Sequence, residues 1–100
     1  MSGMEPVDLD HIQTQIRGVL TGLFGDEARD VAADSELRDT LGDRYDSLGA
    51  LECITEVEKQ FGIEVDFVAD DIRYAFSTID NMARFVRNRR EDMAALGTIR

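Results

Sequence analysis

The chemistry that this chain could perform is limited by the side chains available to activate a nucleophile. His11 is the only histidine, so a serine or cysteine nucleophile that depends on histidine would need that residue. Helical periodicity places His11 opposite the apolar positions of its segment, where an exposed polar residue is expected. No phosphate-binding loop, dinucleotide-binding fingerprint or HExxH motif is present. We therefore predict that the chain is not an enzyme and holds no metal.

The triplet Asp46-Ser47-Leu48 stands where a long polar segment meets the start of a predicted helix. A serine there has an ordinary explanation, because Ser is a preferred N-cap and Asp is favourable at a helix N-terminus. The same junction would leave the hydroxyl group accessible to a modifying enzyme. The triplet alone therefore leaves a capping role and a functional role open.

Length and charge narrow the class of protein. The chain has 100 residues, with 21 acidic and 11 basic side chains and a formal net charge of −10. Such a charge repels nucleic acid and anionic membranes, so we expect neither as a partner and predict partners with basic surfaces. With no spanning apolar run and no secretion signal, a cytoplasmic protein is expected. We predict one domain over 1–100, ordered over about 6–92, with a flexible tail at 93–100.

Apolar spacing in the first part of the chain predicts two helices separated by a loop. The first helix begins near Leu9, has one apolar face and ends at Gly25. The segment 26–46 is polar and rich in Asp and Gly, which predicts a long loop with room for one short turn of helix. The second helix is predicted from about Ser47 to Phe61, with Leu51, Cys53 and Ile54 among the residues of its apolar, core-facing side. The apolar residues expected to anchor the loop to the core are Val31, Leu37 and Leu41.

The second part of the chain predicts two more helices. Residues 63–68 alternate apolar and polar side chains, but a single strand would have no partner, so an extended loop is expected there. A short third helix is predicted from Asp70 to Ala75, and the last helix begins at a cap, Ser77 or Thr78. We predict an all-α four-helix bundle, with a long loop between the first and second helices and a short third helix. Two side chains of the extended loop are expected in the core, Ile63 and Val65.

Short motifs along the chain follow one another in the order found in one protein family. Leu41-Gly42 precedes the Asp46-Ser47-Leu48 triplet, and Leu51, Glu52 and Ile54 follow within the second helix; Phe61-Gly62-Ile63-Glu64-Val65 closes that helix, and Ser77-Thr78-Ile79 opens the last one. Over residues 9–90 the chain resembles the acyl carrier proteins, a family that includes the related peptidyl carriers. The resemblance implies the four-helix carrier bundle.

The resemblance also implies a covalent cofactor. By this resemblance, 4′-phosphopantetheine is joined to Ser47 through a phosphodiester, and the terminal thiol of the cofactor carries acyl groups as thioesters between partner enzymes. The position suits this role, because backbone N–H groups and the positive end of the helix dipole favour a phosphate at a helix N-terminus. The resemblance assigns Asp46 to the magnesium-dependent attachment and Leu48 to contacts with partner enzymes.

Two acidic side chains of the second helix, Glu52 and Glu56, lie one turn apart, although like charges at this spacing destabilise an isolated helix slightly. The resemblance implies that they dock a monomeric carrier onto basic patches of a phosphopantetheinyl transferase, an acyltransferase, a ketosynthase or other biosynthetic enzymes. Opposite charges accelerate such encounters without requiring tight binding. Taken without the resemblance, these charges are a solvated surface relieved by Lys59.

Several positions depart from the pattern of this family. Gly49 stands where many relatives have an acidic or polar residue, and Asp43-Arg44-Tyr45 lengthens the approach to Ser47. The segment between Val65 and Ser77 is also longer, which would displace the third helix. These departures favour a specialised biosynthetic pathway over general fatty-acid synthesis.

Three functions remain open from the sequence. The first is a discrete acyl carrier protein for polyketide or fatty-acid-type synthesis, and the second is a peptidyl carrier loaded with an aminoacyl group. The third is an unmodified helical interaction module in which Ser47 only caps a helix. The acidic second helix favours acyl cargo. Cys53 either borders that cargo or packs as a small core residue, which is the usual role of an unperturbed cysteine.

Overall fold

The structure is a computed structural model that describes residues 9–68 and 70–99, with side chains as far as Met93. The α-helices of this part are α1 (Leu9–Phe24), α2 (Leu37–Leu41), α3 (Ser47–Phe61), α4 (Ile72–Ala75) and α5 (Ile79–Ile99). Short 3-10 turns cover Asp26–Ala28 and Gly42–Tyr45, and the described residues contain no strand. The predicted all-α class is confirmed. None of these helices is long and apolar enough to cross a membrane.

The helices end where the backbone requires glycine or a capping side chain. Gly62 follows α3 in the left-handed conformation (φ +66°), and its N–H donates to the carbonyl of Glu58, which closes the helix. At the start of α5, the Thr78 hydroxyl accepts a hydrogen bond from the Asn81 N–H at 3.0 Å. Thr78 is therefore the cap, whereas the Ser77 hydroxyl donates to the carbonyl of Tyr74.

The core lies between α1, α3 and α5, each of which buries one face. Its fully buried side chains include Ile16 and Leu20 of α1, Val57 of α3, and Met82 and Val86 of α5. Burial of this much apolar surface is the main favourable contribution to folding. The predicted anchors of the two loops are also buried: Val31, Leu37, Leu41, Ile63 and Val65.

The long loop between α1 and α3 contains more regular structure than the sequence predicts. The segment 26–46 forms two 3-10 turns and the short helix α2, because its polar backbone groups find partners within the bundle. Arg17 of α1 donates hydrogen bonds to the carbonyls of Arg29 and Val31. The N–H of Leu37 donates to the carbonyl of Ser77 at 2.9 Å, which ties α2 to the start of α5.

The last two helices also differ in length from their predicted bounds. The short third helix of the prediction is α4 and covers Ile72–Ala75, because Asp71 caps it by accepting from the Tyr74 N–H. The final helix continues to Ile99, beyond residue 92, and the flexibility predicted for the tail at 93–100 stays a prediction. Residues 6–8 and 100 lie outside the described residues. The division of the chain into one domain stays a prediction.

An ion pair ties the loop before α4 to α5. Arg89 contacts both carboxylate oxygens of Asp70 at 2.6 Å, and its guanidinium lies 5.1 Å from the ring centre of Phe85. The side chains of Arg89 and Asp70 are only 26% and 16% exposed. Because both charges are largely removed from water, losing one partner leaves the other poorly solvated.

We expect Arg89→Leu to lower the free energy of unfolding by about 1–3 kcal/mol, because Asp70 would keep its burial and lose its partner. The measurement is urea unfolding followed by circular dichroism. Arg90→Leu, at the exposed neighbouring position of α5, is the matched control and should change stability by less than about 0.5 kcal/mol. Equal effects of the two substitutions would show that the Asp70–Arg89 pair contributes nothing specific.

Candidate functional site

The cap of α3 is Asp46, so the alternative in which Ser47 only caps the helix does not hold. Asp46 has an extended backbone, and its Oδ1 accepts a hydrogen bond from the Gly49 N–H at 2.8 Å. Its carbonyl accepts the first intrahelical bond, from the Ala50 N–H at 2.8 Å. Asp46 meets the requirements of an N-cap one residue earlier, so Ser47 becomes the first residue inside the helix.

The Ser47 side chain is consequently not needed to cap α3. It is exposed, and its hydroxyl has no hydrogen-bond partner among the described residues. It stands at the positive end of a 15-residue helix, beside the N–H groups of the first turn. This arrangement offers a solvent-accessible oxygen at a position that stabilises an attached phosphate.

The 3-10 turn Gly42–Tyr45, which we call the strap, precedes Asp46 and Ser47. Two of its side chains attach it to the rest of the bundle. Arg44 Nη1 donates a hydrogen bond to the Phe24 carbonyl at 2.8 Å, and the same atom lies 2.8 Å from a carboxylate oxygen of Glu27. Phe24 ends α1, so its carbonyl lacks an intrahelical donor. Arg44 thereby satisfies the C-terminus of α1 from the strap.

Tyr45 attaches the other end of the strap to the core. Its ring is buried and meets the Phe24 ring edge-on, with centroids 5.7 Å apart. Its hydroxyl donates to the Phe76 carbonyl, between α4 and α5. Burial raises the pKa of Tyr45 well above its usual range, so the hydroxyl stays protonated and remains a donor.

Gly49 is the point at which the strap and α3 touch. Its backbone is buried, and a Cβ atom added there would lie 2.1 Å from the carbonyl oxygen of Arg44 and 3.2 Å from Cε1 of Phe24. Separations below 3.0 Å do not occur between real Cβ atoms and backbone. Glycine is therefore required by this close approach, which explains why a residue of low helix propensity occupies the first turn.

Leu48 and Leu51 project from α3 beside Ser47, with 64% and 44% of their surfaces exposed. Leu51 was expected on the buried face of the helix together with Cys53 and Ile54, and this expectation is wrong. Its position falls at the edge of the apolar arc, and no neighbouring helix covers it. A shallow groove of about 370 Å³ runs here, lined by Leu23, Leu48, Leu51, Glu52, Thr55 and Glu56.

The two acidic residues predicted for docking both line this groove, but their electrostatic surroundings differ. Glu52 is exposed and has no ion pair among the described residues. Glu56 is half-buried and lies 3.4 Å from Nζ of Lys59, so part of its charge is neutralised. The neighbouring Glu58 has a structural role, because it accepts the Val65 N–H at 2.8 Å. Glu52 thus contributes the least compensated charge of this face.

The side chains of His11 and Cys53, which could also react, do not form a site with Ser47. His11 is exposed on α1, thirteen residues before the strap contact at Phe24, which corresponds to about 20 Å along the helix. Cys53 is fully buried, with its sulfur 3.8 Å from that of Met82. Burial raises the pKa of the Cys53 thiol to about 12. Among the described residues, no cluster of His, Cys, Asp and Glu could hold a metal ion.

Sequence reasoning overlooked the support that Arg44 and Tyr45 provide to the site. Both were visible as a lengthened approach to Ser47, and Gly49 was visible as an unusual residue after Leu48. The sequence therefore showed two separate departures from the family pattern, with nothing to connect them. Only the structure shows that they are one contact, because the extra backbone fills the space left by the glycine.

Two comparisons with known proteins match most of the chain. A family model described as the phosphopantetheine attachment site matches residues 14–86, which include the strap and all of α3. The chain is also 32% identical over 71 residues to a protein of Pseudomonas aeruginosa named acyl carrier protein 2. The matched part is 71% of this chain and 84% of that protein.

We predict that Cys53 is unreactive in the folded chain. A pKa near 12 instead of 9.0 lowers the thiolate fraction at pH 8 about a thousandfold, and the core shields the sulfur further. Iodoacetamide labelling followed by mass spectrometry should therefore be at least a hundredfold slower in buffer than in concentrated urea. Similar rates in both solvents would place the Cys53 thiol outside the core.

Proposed function

The chain belongs to the acyl carrier protein family, whose members carry a covalently attached 4′-phosphopantetheine group, and from this premise we propose that Ser47 is the attachment residue. The observation that carries the proposal is the division of roles at the start of α3. Asp46 caps the helix, which leaves the Ser47 hydroxyl exposed and without a partner among the described residues. A serine required only for capping would hold the bond that Asp46 holds.

The residues around Ser47 suit attachment by a separate phosphopantetheinyl transferase. The Ser47 oxygen forms a new bond to the pantetheine-bearing phosphorus of coenzyme A, its proton goes to a base of the transferase, and adenosine bisphosphate leaves. The first turn of α3 then places N–H groups and the positive helix end beside the new phosphodiester. When bound, the cofactor supplies the thiol that holds the cargo as a thioester.

Asp46 fits a second role during attachment. Its Oδ1 is engaged by the Gly49 N–H, whereas Oδ2 has no partner among the described residues. We propose that Oδ2 helps to orient magnesium held by the transferase, as the family resemblance implies. The exposed position of Asp46 supports this role, because a hard oxygen ligand would face the docked enzyme.

We further propose that Leu48, Glu52 and Glu56 contact partner enzymes. Leu48 offers an exposed apolar side chain next to the proposed modification site, and Glu52 offers a charge that forms no ion pair within the described part of the chain. Partners with a basic patch, such as an acyltransferase or a ketosynthase, complement this surface. We place the carrier as a monomer in cytoplasmic fatty-acid-type or polyketide-type synthesis; the acidic α3 surface supports acyl rather than aminoacyl cargo.

The attachment residue is tested by intact mass spectrometry after incubation with coenzyme A and a broad-specificity phosphopantetheinyl transferase. The wild-type chain should gain the mass of one phosphopantetheine group, and Ser47→Ala should gain none, because it lacks the attacking oxygen. Ser35→Ala is the matched control and should gain the mass as the wild type does. Modification of Ser47→Ala to the wild-type extent would remove Ser47 from the proposal.

The docking surface is tested by the double charge reversal Glu52→Lys/Glu56→Lys. Loss of the acidic face should slow transfer from a partner enzyme about tenfold at low salt, and the wild-type rate should fall as salt rises. Glu64→Lys/Glu91→Lys changes the net charge equally at other exposed positions and is the control. If both double variants slow transfer alike, only net charge matters and the α3 face has no special role.

A further inference from the structure

Resting on the assignment of Ser47 as the attachment residue, we propose that Arg44 and Gly49 are positioning residues, which hold Ser47 for phosphopantetheine attachment by clamping the strap between α1 and α3. Neither residue lies in the Asp46-Ser47-Leu48 triplet, and both stand where the chain departs from the family pattern. The longer approach to Ser47 therefore sets where the serine oxygen is presented.

Arg44 bridges the two helices with two different parts of the same residue. Its guanidinium binds the Phe24 carbonyl at the C-terminus of α1, and its own carbonyl oxygen occupies the space beside Gly49 in the first turn of α3. The last turn of α1 contains no basic residue, so Arg44 supplies the cation that the negative end of this helix favours. The ends of α1 and α3 are thus fixed relative to each other through one residue of the strap.

The guanidinium contacts differ in the amount of support that they provide. The ion pair with Glu27 joins side chains that are 50% and 62% exposed, so it contributes little to stability by itself. The bond to the Phe24 carbonyl is partly buried and satisfies an acceptor at a helix end. The Phe24 carbonyl is therefore the principal anchor of the Arg44 side chain.

Gly49 contacts both the strap and the cap of α3. Its N–H donates to Oδ1 of Asp46, and its bare Cα faces the Arg44 carbonyl. Only Tyr45 and Asp46 separate Arg44 from Ser47 along the chain. A displacement of the strap would therefore be transmitted to the serine within two residues.

Displacement at this point matters for a transfer reaction. The transferase must align the Ser47 oxygen with the phosphorus that it attacks, and a misplacement of about 1 Å can reduce the rate of a reaction up to about a hundredfold. A Cβ at position 49 would push the Arg44 carbonyl by about 1 Å before normal contact is restored. The strap therefore affects the turnover of attachment more than the binding of the carrier.

The test measures kcat and KM for phosphopantetheine attachment to Arg44→Ala, Arg44→Lys and Arg29→Ala, at a temperature where circular dichroism shows each chain folded. Arg44→Ala should lower kcat about tenfold with little change in KM, because the strap loses its anchor on α1. Arg44→Lys can still donate to the Phe24 carbonyl and should recover much of kcat. Arg29→Ala removes an equal charge from the neighbouring 3-10 turn region, where Arg29 is exposed and pairs with Asp26, and should behave as wild type.

Nuclear magnetic resonance supplies a readout that does not depend on the transferase. In Arg44→Ala, the backbone amide signals of Ser47 and Gly49 should shift while those of the α1–α5 core stay in place. Gly49→Ala should shift the same signals and lower kcat at least as much as Arg44→Ala. Should Gly49→Ala fail to fold, the Arg44 series alone decides the proposal.

The outcomes separate this proposal from the assignment of Ser47. If the wild type is modified on Ser47 and Arg44→Ala retains its kcat, Arg44 has no positioning role and the proposal is overturned. A loss confined to KM and fully restored by lysine would indicate direct charge recognition by the transferase, which also overturns it. Failure of the wild type to accept the cofactor on Ser47 would instead contradict the attachment residue itself.

Discussion

The contact between the Arg44 carbonyl and the bare Cα of Gly49 is the constraint on which the arrangement of the site depends. It permits the strap to lie directly against the first turn of α3, at a distance that no side chain at position 49 would allow. Because the strap is also bound to the end of α1, this contact couples the two helices at the position of Ser47. Glycine at position 49 lowers the helix propensity of the first turn of α3, but it allows the strap backbone to approach that turn closely.

The core and the site are parts of one packing arrangement. Phe24 ends α1 and meets the ring of Tyr45, and its side chain also lies beside the space that a Cβ at position 49 would need. The hydroxyl of Tyr45 extends this connection to the backbone at Phe76, before α5. A surface residue such as Ser47 is thereby supported by buried neighbours, which is how a rigid bundle can present an exposed reactive group.

The first turn of α3 divides structural and chemical roles between adjacent residues. Asp46 satisfies the helix N-terminus, Ser47 remains available and Leu48 is presented to solvent. An exposed leucine beside an exposed serine has no value for the stability of an isolated chain. The proposed attachment of the cofactor accounts for this arrangement, because a modifying enzyme must reach the Ser47 oxygen, whereas the fully buried Cys53 thiol is shielded from solvent.

The sequence alone determined the helical class, the bounds of α3 and the identity of the exposed serine, because periodicity, glycine stops and a local motif depend on neighbours along the chain. It also identified the buried anchors of the loops, since apolar side chains in polar segments have few alternatives to the core. It did not determine which residue caps α3, where Leu51 points, or why Gly49 follows Leu48. Those features depend on groups distant in sequence, Phe24 and Phe76 among them, and on the exact space between backbones, which only the tertiary structure decided.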